Sequence, residues 1–145
     1  MAVTVKKVTL WRTQVENKPG ALSRVLAPLA EAGADLQVVM GYHYQGVPDS
    51  AVIEVSPVSG RKATTAAGKV GLEAAAIHTL LVQGDNKAGL GHVIAQNIAA
   101  AAINVTFLVA QVIGTQFSAI MGFEDEAAAK EAVTLVKKAV KAIEK

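Results

Sequence analysis

The groups best suited to holding a small molecule fall in two short segments. These are Asn17-Lys18-Pro19-Gly20 and Asn86-Lys87-Ala88-Gly89, 69 positions apart (86 − 17). Each follows a β-branched, apolar run and opens a segment with helical spacing. The chemistry such a turn offers is recognition. A glycine lets an anion approach the backbone, and a helix start presents free N–H groups and partial positive charge. Asn17 and Asn86 can bind an ammonium or a carboxylate from the same turn, and each can equally cap the helix that follows. The copies differ in bulk. The first continues with Ala21-Leu22, whereas Gly89-Leu90-Gly91 leaves more room and two flexible backbone points, which favours the second turn.

Catalytic constellations are not found. His43, His78 and His92 are not spaced with one another or with acids as metal ligands would be. His78 alternates with Ile77 and Thr79 as a structural strand residue, while His92 falls in the first turn of a helix, within reach of a ligand. With zero cysteines there are no disulfides, no thiol catalysis and no Cys-based metal site. The phosphate-cradling loop with partner Arg and Asn of an acylphosphatase-like enzyme is missing, and Gly89–Gly91 is too short a motif for a nucleotide. The chain is expected to be no enzyme, with no catalytic residue, metal or cofactor. Tyr42 and Tyr44 share a strand face, but Leu, Val and Ala fill the other strands, unlike the aromatic platforms that stack RNA bases.

The elements that must position these turns occur twice. Sliding Gln14–Ala32 over Gln83–Ala101 gives identities at Gln14, Asn17, Lys18, Gly20, Ala30 and Ala32, with Glu16/Asp85, Val25/Ile94 and Leu29/Ile98 as conservative pairs. This is an internal duplication. Val5–Glu16 is predicted as one strand, with Trp11 packing. Asn17 is placed as a helix cap, Pro19 in the first turn, and Leu22, Val25, Leu26 and Leu29 on one apolar stripe, with Pro28 bending the solvent side. After Gly33 come a strand over Asp35–Tyr44, a turn at 45–49, a strand over Ser50–Val55 and a weak helix over Arg61–Val70. Ala74–Gly84 reads as one continuous strand shared by both copies. The second copy repeats the order: helix Ala88–Ala102, strand Asn104–Ile113, turn Gly114-Thr115 and strand Gln116–Phe123. The final helix, Glu124–Lys145, lines Val133, Val136, Val140 and Ile143 along one side. The order strand–helix–strand–strand–helix(–strand), twice, predicts an α+β protein of two ferredoxin-like units, each an antiparallel sheet with its helices on one face. The expected division is 1–72 and 73–145.

Bulk properties agree with a protein built on small apolar residues. Hydrophobic residues make up 52% of the 145, aromatics only 4%, and the net charge is +2. The isoelectric point is about 8.9 and the mean hydropathy +0.37. The lysines are scattered and those of the last helix form a solvated face, so no nucleic-acid partner is implied. The start of the chain lacks the charged-then-apolar order of a signal peptide, and a cytoplasmic setting is expected. Val93–Phe123 contains no charged residue, but polar residues interrupt it and its period changes midway, so it is read as a buried helix and two strands with no membrane span.

Val15-Glu16-Asn17-Lys18-Pro19-Gly20-Ala21-Leu22, followed by a helix and Gly33-Ala34-Asp35-Leu36, resembles the ACT domain family. Its pattern is an acidic or amide residue, two positions, then Gly and a small or apolar residue, with Gly-x-Asn/Asp-Ile leading into the second strand. Ala102-Ile103-Asn104-Val105 is the looser second version. The resemblance covers nearly the whole chain as a tandem pair. It implies a sensor of small molecules, most often amino acids, held where two domains meet side by side near the first turn and second strand. Carried onto this sequence, the ligand-binding residues are Asn17, Pro19, Gly20, Ala21, Leu22 and Asp35 in the first copy. In the second they are Asn86, Ala88, Gly89, Leu90, Gly91, His92 and Asn104. With no attached catalytic or DNA-binding domain in the sequence, the resemblance implies regulation of a separate enzyme. The alternative is a ligand-free protein–protein interaction module. No strand follows the last helix, so the second sheet is expected to have an uncharged open edge covered by a second copy of the chain in a homodimer.

Overall fold

The computed structural model describes residues 1–145. It opens with β1 (Val3–Val8) and β2 (Trp11–Glu16), which belong to different sheets. The single strand expected over Val5–Glu16 is therefore broken at Thr9-Leu10, where Leu10 is completely buried. No glycine or proline marks the break, and both halves carry β-branched residues. The chain forms two compact units, a nested one of Thr9–Ala76 and a flanking one of Met1–Val8 with Ile77–Lys145. This differs from a division at 72/73, because the first eight residues pair with the later copy.

In the nested unit, β2 leads to α1 (Ala21–Glu31), β3 (Val38–His43), β4 (Ser50–Ser56), α2 (Arg61–Lys69) and the two-residue β5 (Glu73–Ala74). The antiparallel sheet has the order β3-β4-β2-β5. Its core joins Val25 and Leu29 of α1 to Ile53, Val55, Ala66, Ala67 and Leu72, with Trp11 against the edge. Val25 and Leu29 are fully buried, which contributes about 1.5–3 kcal/mol each. Leu22 departs from the expected stripe: it is 46% exposed, and Ala21 takes the buried position.

The flanking unit contains β6 (His78–Asp85), α3 (Leu90–Ala100), β7 (Phe107–Ile113), β8 (Gln116–Phe123) and α4 (Glu126–Glu144). Its sheet order is β1-β6-β8-β7, all antiparallel. The continuous strand expected at Ala74–Gly84 is thus two strands, β5 and β6, with Ala75–Ile77 between them. Both helices pack on one face over Leu80, Val82, Ile94, Ile98, Met121, Phe123 and Val136. Asp125 caps α4 by accepting from the Ala128 N–H at 2.7 Å, an interaction whose loss costs about 1 kcal/mol.

β1 fills the fourth-strand position of this sheet, beside β6. The Ala2 N–H donates to one Asp85 carboxylate oxygen at 2.8 Å and the Gln116 amide to the other at 2.7 Å. These donors, the Ala2 N–H foremost, hold the Asp85 carboxyl below its ordinary range. Lys7 pairs with Glu126 at 3.2 Å. An unfilled fourth-strand position therefore cannot be the reason for a homodimer. The sheet of the flanking unit has two edges, β1 and β7, and it is β7 that exposes large apolar side chains.

Candidate functional site

The two turns fold alike. The Asn17 N–H donates to Asp49 O at 2.7 Å and the Asn86 N–H to Thr115 O at 2.9 Å. One turn further, the Ala21 N–H bonds Lys18 O at 3.2 Å and the Leu90 N–H bonds Lys87 O at 3.1 Å. Neither asparagine caps its helix. Gly20 (φ 87°) and Gly89 (φ 91°) occupy the N-cap positions in the left-handed region, with no side-chain cap. An L side chain in that conformation costs roughly 1–2 kcal/mol, which explains the glycine in both copies. Pro19 accordingly precedes the helix instead of entering its first turn.

Around the second turn lies a cleft of about 670 Å³. Its wall is the start of α3, its floor is Phe117, Ala119 and Met121 of β8, and its open side is β7. Of the residues expected at the site, Asn86, Ala88, Gly89, Leu90 and Gly91 line it, whereas His92 and Asn104 do not. Val105 lines it in place of Asn104, because the strand begins only at Phe107 and the preceding loop turns Val105 toward the core. The first-copy residues Asn17, Pro19, Gly20, Ala21, Leu22 and Asp35 belong to the nested unit and take no part in this cleft. A groove of about 460 Å³ in the nested unit lies between α1 and α2 and is lined by Glu31, Arg61, Lys62 and Lys69 among others.

The contribution of β7 and β8 was not read from the sequence. The available signal was the alternation Leu108, Ala110, Val112 and Phe117, Ala119, Met121, which places these residues on the helix-bearing face in register with one another. α3 does not cover that face fully, and Leu108 and Val112 stay 56% and 55% exposed.

The cleft is uncharged except at its mouth. Lys87 donates to the carbonyl of Ile143 at 2.6 Å, which ties the turn to the end of α4. Its counterpart Lys18 pairs with Glu16 at 3.3 Å. The Leu90 N–H is taken by Lys87 O, and the N–H groups of Gly91 and His92 have no partner within the helix, so the mouth offers donors while the interior is apolar. No three His, Asp or Glu side chains converge as a metal ion would require. No helix is long and apolar enough to cross a membrane.

Sheet pairing shows why the two copies differ. Ala119 lies opposite Val82 and Ala110, and Ile53 lies opposite Thr13 and Gly41, so Ala119 and Ile53 are equivalent. On the helices, the 69-residue offset places Gly91 where the first copy has Leu22, and Ala95 where it has Leu26. Three large side chains of the first copy are small in the second, and all three small ones line the cleft.

No model of a known protein family matches the chain, and no curated protein matches it. Solved structures do. The ligand-free regulatory subunit of aspartate kinase from Thermus thermophilus is 17% identical with a TM-score of 0.63, over 94% of this chain and 95% of that one. A protein from Bacteroides thetaiotaomicron is 16% identical with a TM-score of 0.70, over 93% and 90%. The aspartokinase alpha and beta subunits give 14% identity and a TM-score of 0.64, over 97% and 98%. At these identities the likeness shows the fold alone, a tandem pair of ferredoxin-like units.

Proposed function

We propose that this chain is a non-catalytic regulatory protein that binds an amino acid in the cleft at the second Asn-Lys-x-Gly turn and acts on a separate enzyme. The observation that carries this is the cleft itself. It has the size of a small-molecule site, is apolar inside and is ringed at its mouth by hydrogen-bonding groups. An α-carboxylate suits the free N–H groups at the start of α3, where the glycines keep side chains out of its way. The Asn86 amide suits the α-ammonium. The likeness to regulatory subunits of aspartate kinase supports the same direction.

The protein acts as a homodimer in this proposal, with β7 at the interface. The strand is an uncharged edge, and Leu108, Val109, Val112 and Ile113 are each more than half exposed. Edge strands of that kind attract a pairing partner unless something covers them. A two-fold pairing would also wall the open side of the cleft. The same strand favours the second reading, a ligand-free interaction module. Thermal melts with each of the twenty amino acids at millimolar concentration separate the two. A ligand at about a hundred times its dissociation constant adds roughly 2.7 kcal/mol, which raises the melting temperature by several degrees. Twenty unchanged melts would leave only the interaction module.

A further inference from the structure

Resting on the amino-acid reading above, we infer that the ligand's side chain is apolar and that Gly91, Ala95 and Ala119 set how large it can be. The trough beyond the mouth is made by Leu90, Ile94, Leu108, Phe117, Ala119 and Met121. None of these offers a hydrogen bond. The one ionisable side chain in the lining, Lys87, is held by the Ile143 carbonyl at the edge. A charged ligand side chain laid in this trough would lose its water and find no counter-charge; the only other polar side chains in the lining are Asn86 at the turn and Gln111, which is exposed on β7. An aliphatic or aromatic side chain loses nothing and covers the apolar floor.

The space for that side chain comes from replacements visible within the chain. Leu22, Leu26 and Ile53 of the first copy correspond to Gly91, Ala95 and Ala119 of the second. Gly91 and Ala95 lie four residues apart, on the same side of α3, facing the trough that Ala119 floors. Restoring bulk at any of them shortens the trough from a different side. The position of the largest tolerated side chain is thereby assigned to these residues.

Isothermal calorimetry on the intact protein tests this with leucine, methionine and phenylalanine against lysine, glutamate and serine. The expected result is binding of at least one apolar amino acid at least tenfold more tightly than any of the polar three. Ala119→Ile should weaken the larger apolar ligands at least tenfold while valine or alanine is affected less. Ala95→Leu, on an exposed helix face where the fold tolerates it, should act in the same direction if Ala119→Ile fails to fold. Tightest binding of a charged or hydroxylated amino acid overturns this inference and leaves the regulatory reading intact. Size-independent effects of both substitutions overturn the assignment of the three residues. If no amino acid binds, both the reading and the inference fall.

Discussion

The two Asn-Lys-x-Gly turns have nearly the same backbone and different surroundings. Both put a left-handed glycine at the N-cap, both anchor the asparagine N–H on a carbonyl across the sheet, and both close a turn on the lysine carbonyl. At the first, the equivalent positions carry Leu22, Leu26 and Ile53; around the second, Gly91, Ala95 and Ala119 line a cleft. The turn motif therefore specifies a strand–turn–helix junction. Whether the junction is a site depends on side-chain volume on the neighbouring helix turn and strand. A duplicated motif is evidence for a repeated fold, and evidence for a repeated function only after the flanking positions are compared.

The sharpest way to break this comparison is to make the second turn like the first. Gly91→Leu places a leucine in open space, since a Cβ there meets nothing within 4 Å. It also replaces a helical glycine, a change that favours the helix by up to about 1 kcal/mol. The melting temperature without ligand should hold or rise. The ligand-linked stabilisation, roughly 2.7 kcal/mol at a hundred times the dissociation constant, should vanish. A full ligand shift in Gly91→Leu would place the ligand elsewhere.

The copies also differ in how each sheet obtains its fourth strand. β5 is two residues long and pairs only with Trp11 and Arg12, whereas β1 is six residues long and pairs along Val3–Val8. At equivalent places the first copy carries Val15 and the second Gly84. Val15 is free to keep its side chain because β5 does not extend that far. A Cβ on Gly84 would collide with the Ala2 carbonyl and the Val3 Cα. Gly84→Ala must therefore push β1 off the sheet edge, at a cost of about 2 kcal/mol by analogy with overpacked sites. Urea unfolding should show a lowered midpoint. An unchanged midpoint would mean that β1 is not bound as closely as the pairing shows.

Much of this arrangement was legible in the sequence. The period of Val25 and Leu29, the alternation in Gln116–Phe123 and the turn at Gly114-Thr115 place α1, β8 and the β7–β8 hairpin within a few residues. The ferredoxin-like order followed from them. What stayed hidden was pairing at long range. Val5–Glu16 and Ala74–Gly84 each look continuous because alternation reports exposure to a sheet face and says nothing about which sheet. The cleft was half visible for the same reason. Gly89 and Gly91 announce free backbone, and the hairpin turn pairs Phe117, Ala119 and Met121 with β7, but that this face is left uncovered by α3 depends on tertiary packing, which no local pattern contains.

Edge chemistry offers a smaller effect. The flanking sheet ends at β7 with four large apolar residues exposed, while β3, the corresponding edge of the nested sheet, exposes Val39 and Tyr42. A homodimer through β7 predicts that Val109→Lys weakens association at least tenfold, about 1.4 kcal/mol, because two like charges would meet near the two-fold axis. Val39→Lys should leave it unchanged. Light scattering over a concentration series reads both. Equal effects from the two substitutions, or a wild-type monomer at high micromolar concentration, would remove β7 as the interface.

The smallest expected effect separates the copies by charge. In the nested sheet the Tyr42 hydroxyl donates to the buried carboxylate of Glu54, and Arg12 lies 5.7 Å from the Tyr44 ring centroid. By register the flanking sheet has Gln111 and Ile120 where the nested one has Tyr42 and Glu54, so it has no such pair. Burial, and then the hydrogen bond and charge of Glu54, push the Tyr42 pKa up to about 12. The folded protein thus keeps this proton over a range in which the unfolded chain, titrating near 10, has lost it. The stability Tyr42 contributes is fully present below about pH 10 and declines as the pH rises toward 12. Solvent screening at a half-exposed ring keeps the effect small. The measurement is the difference between wild type and Tyr42→Phe in urea midpoints from pH 9 to 12, which isolates this one hydroxyl. Wild type should lose stability faster than Tyr42→Phe across that range. Parallel curves would show that the Glu54 contact does not hold the tyrosine proton, and the charge difference between the copies would then have no energetic consequence.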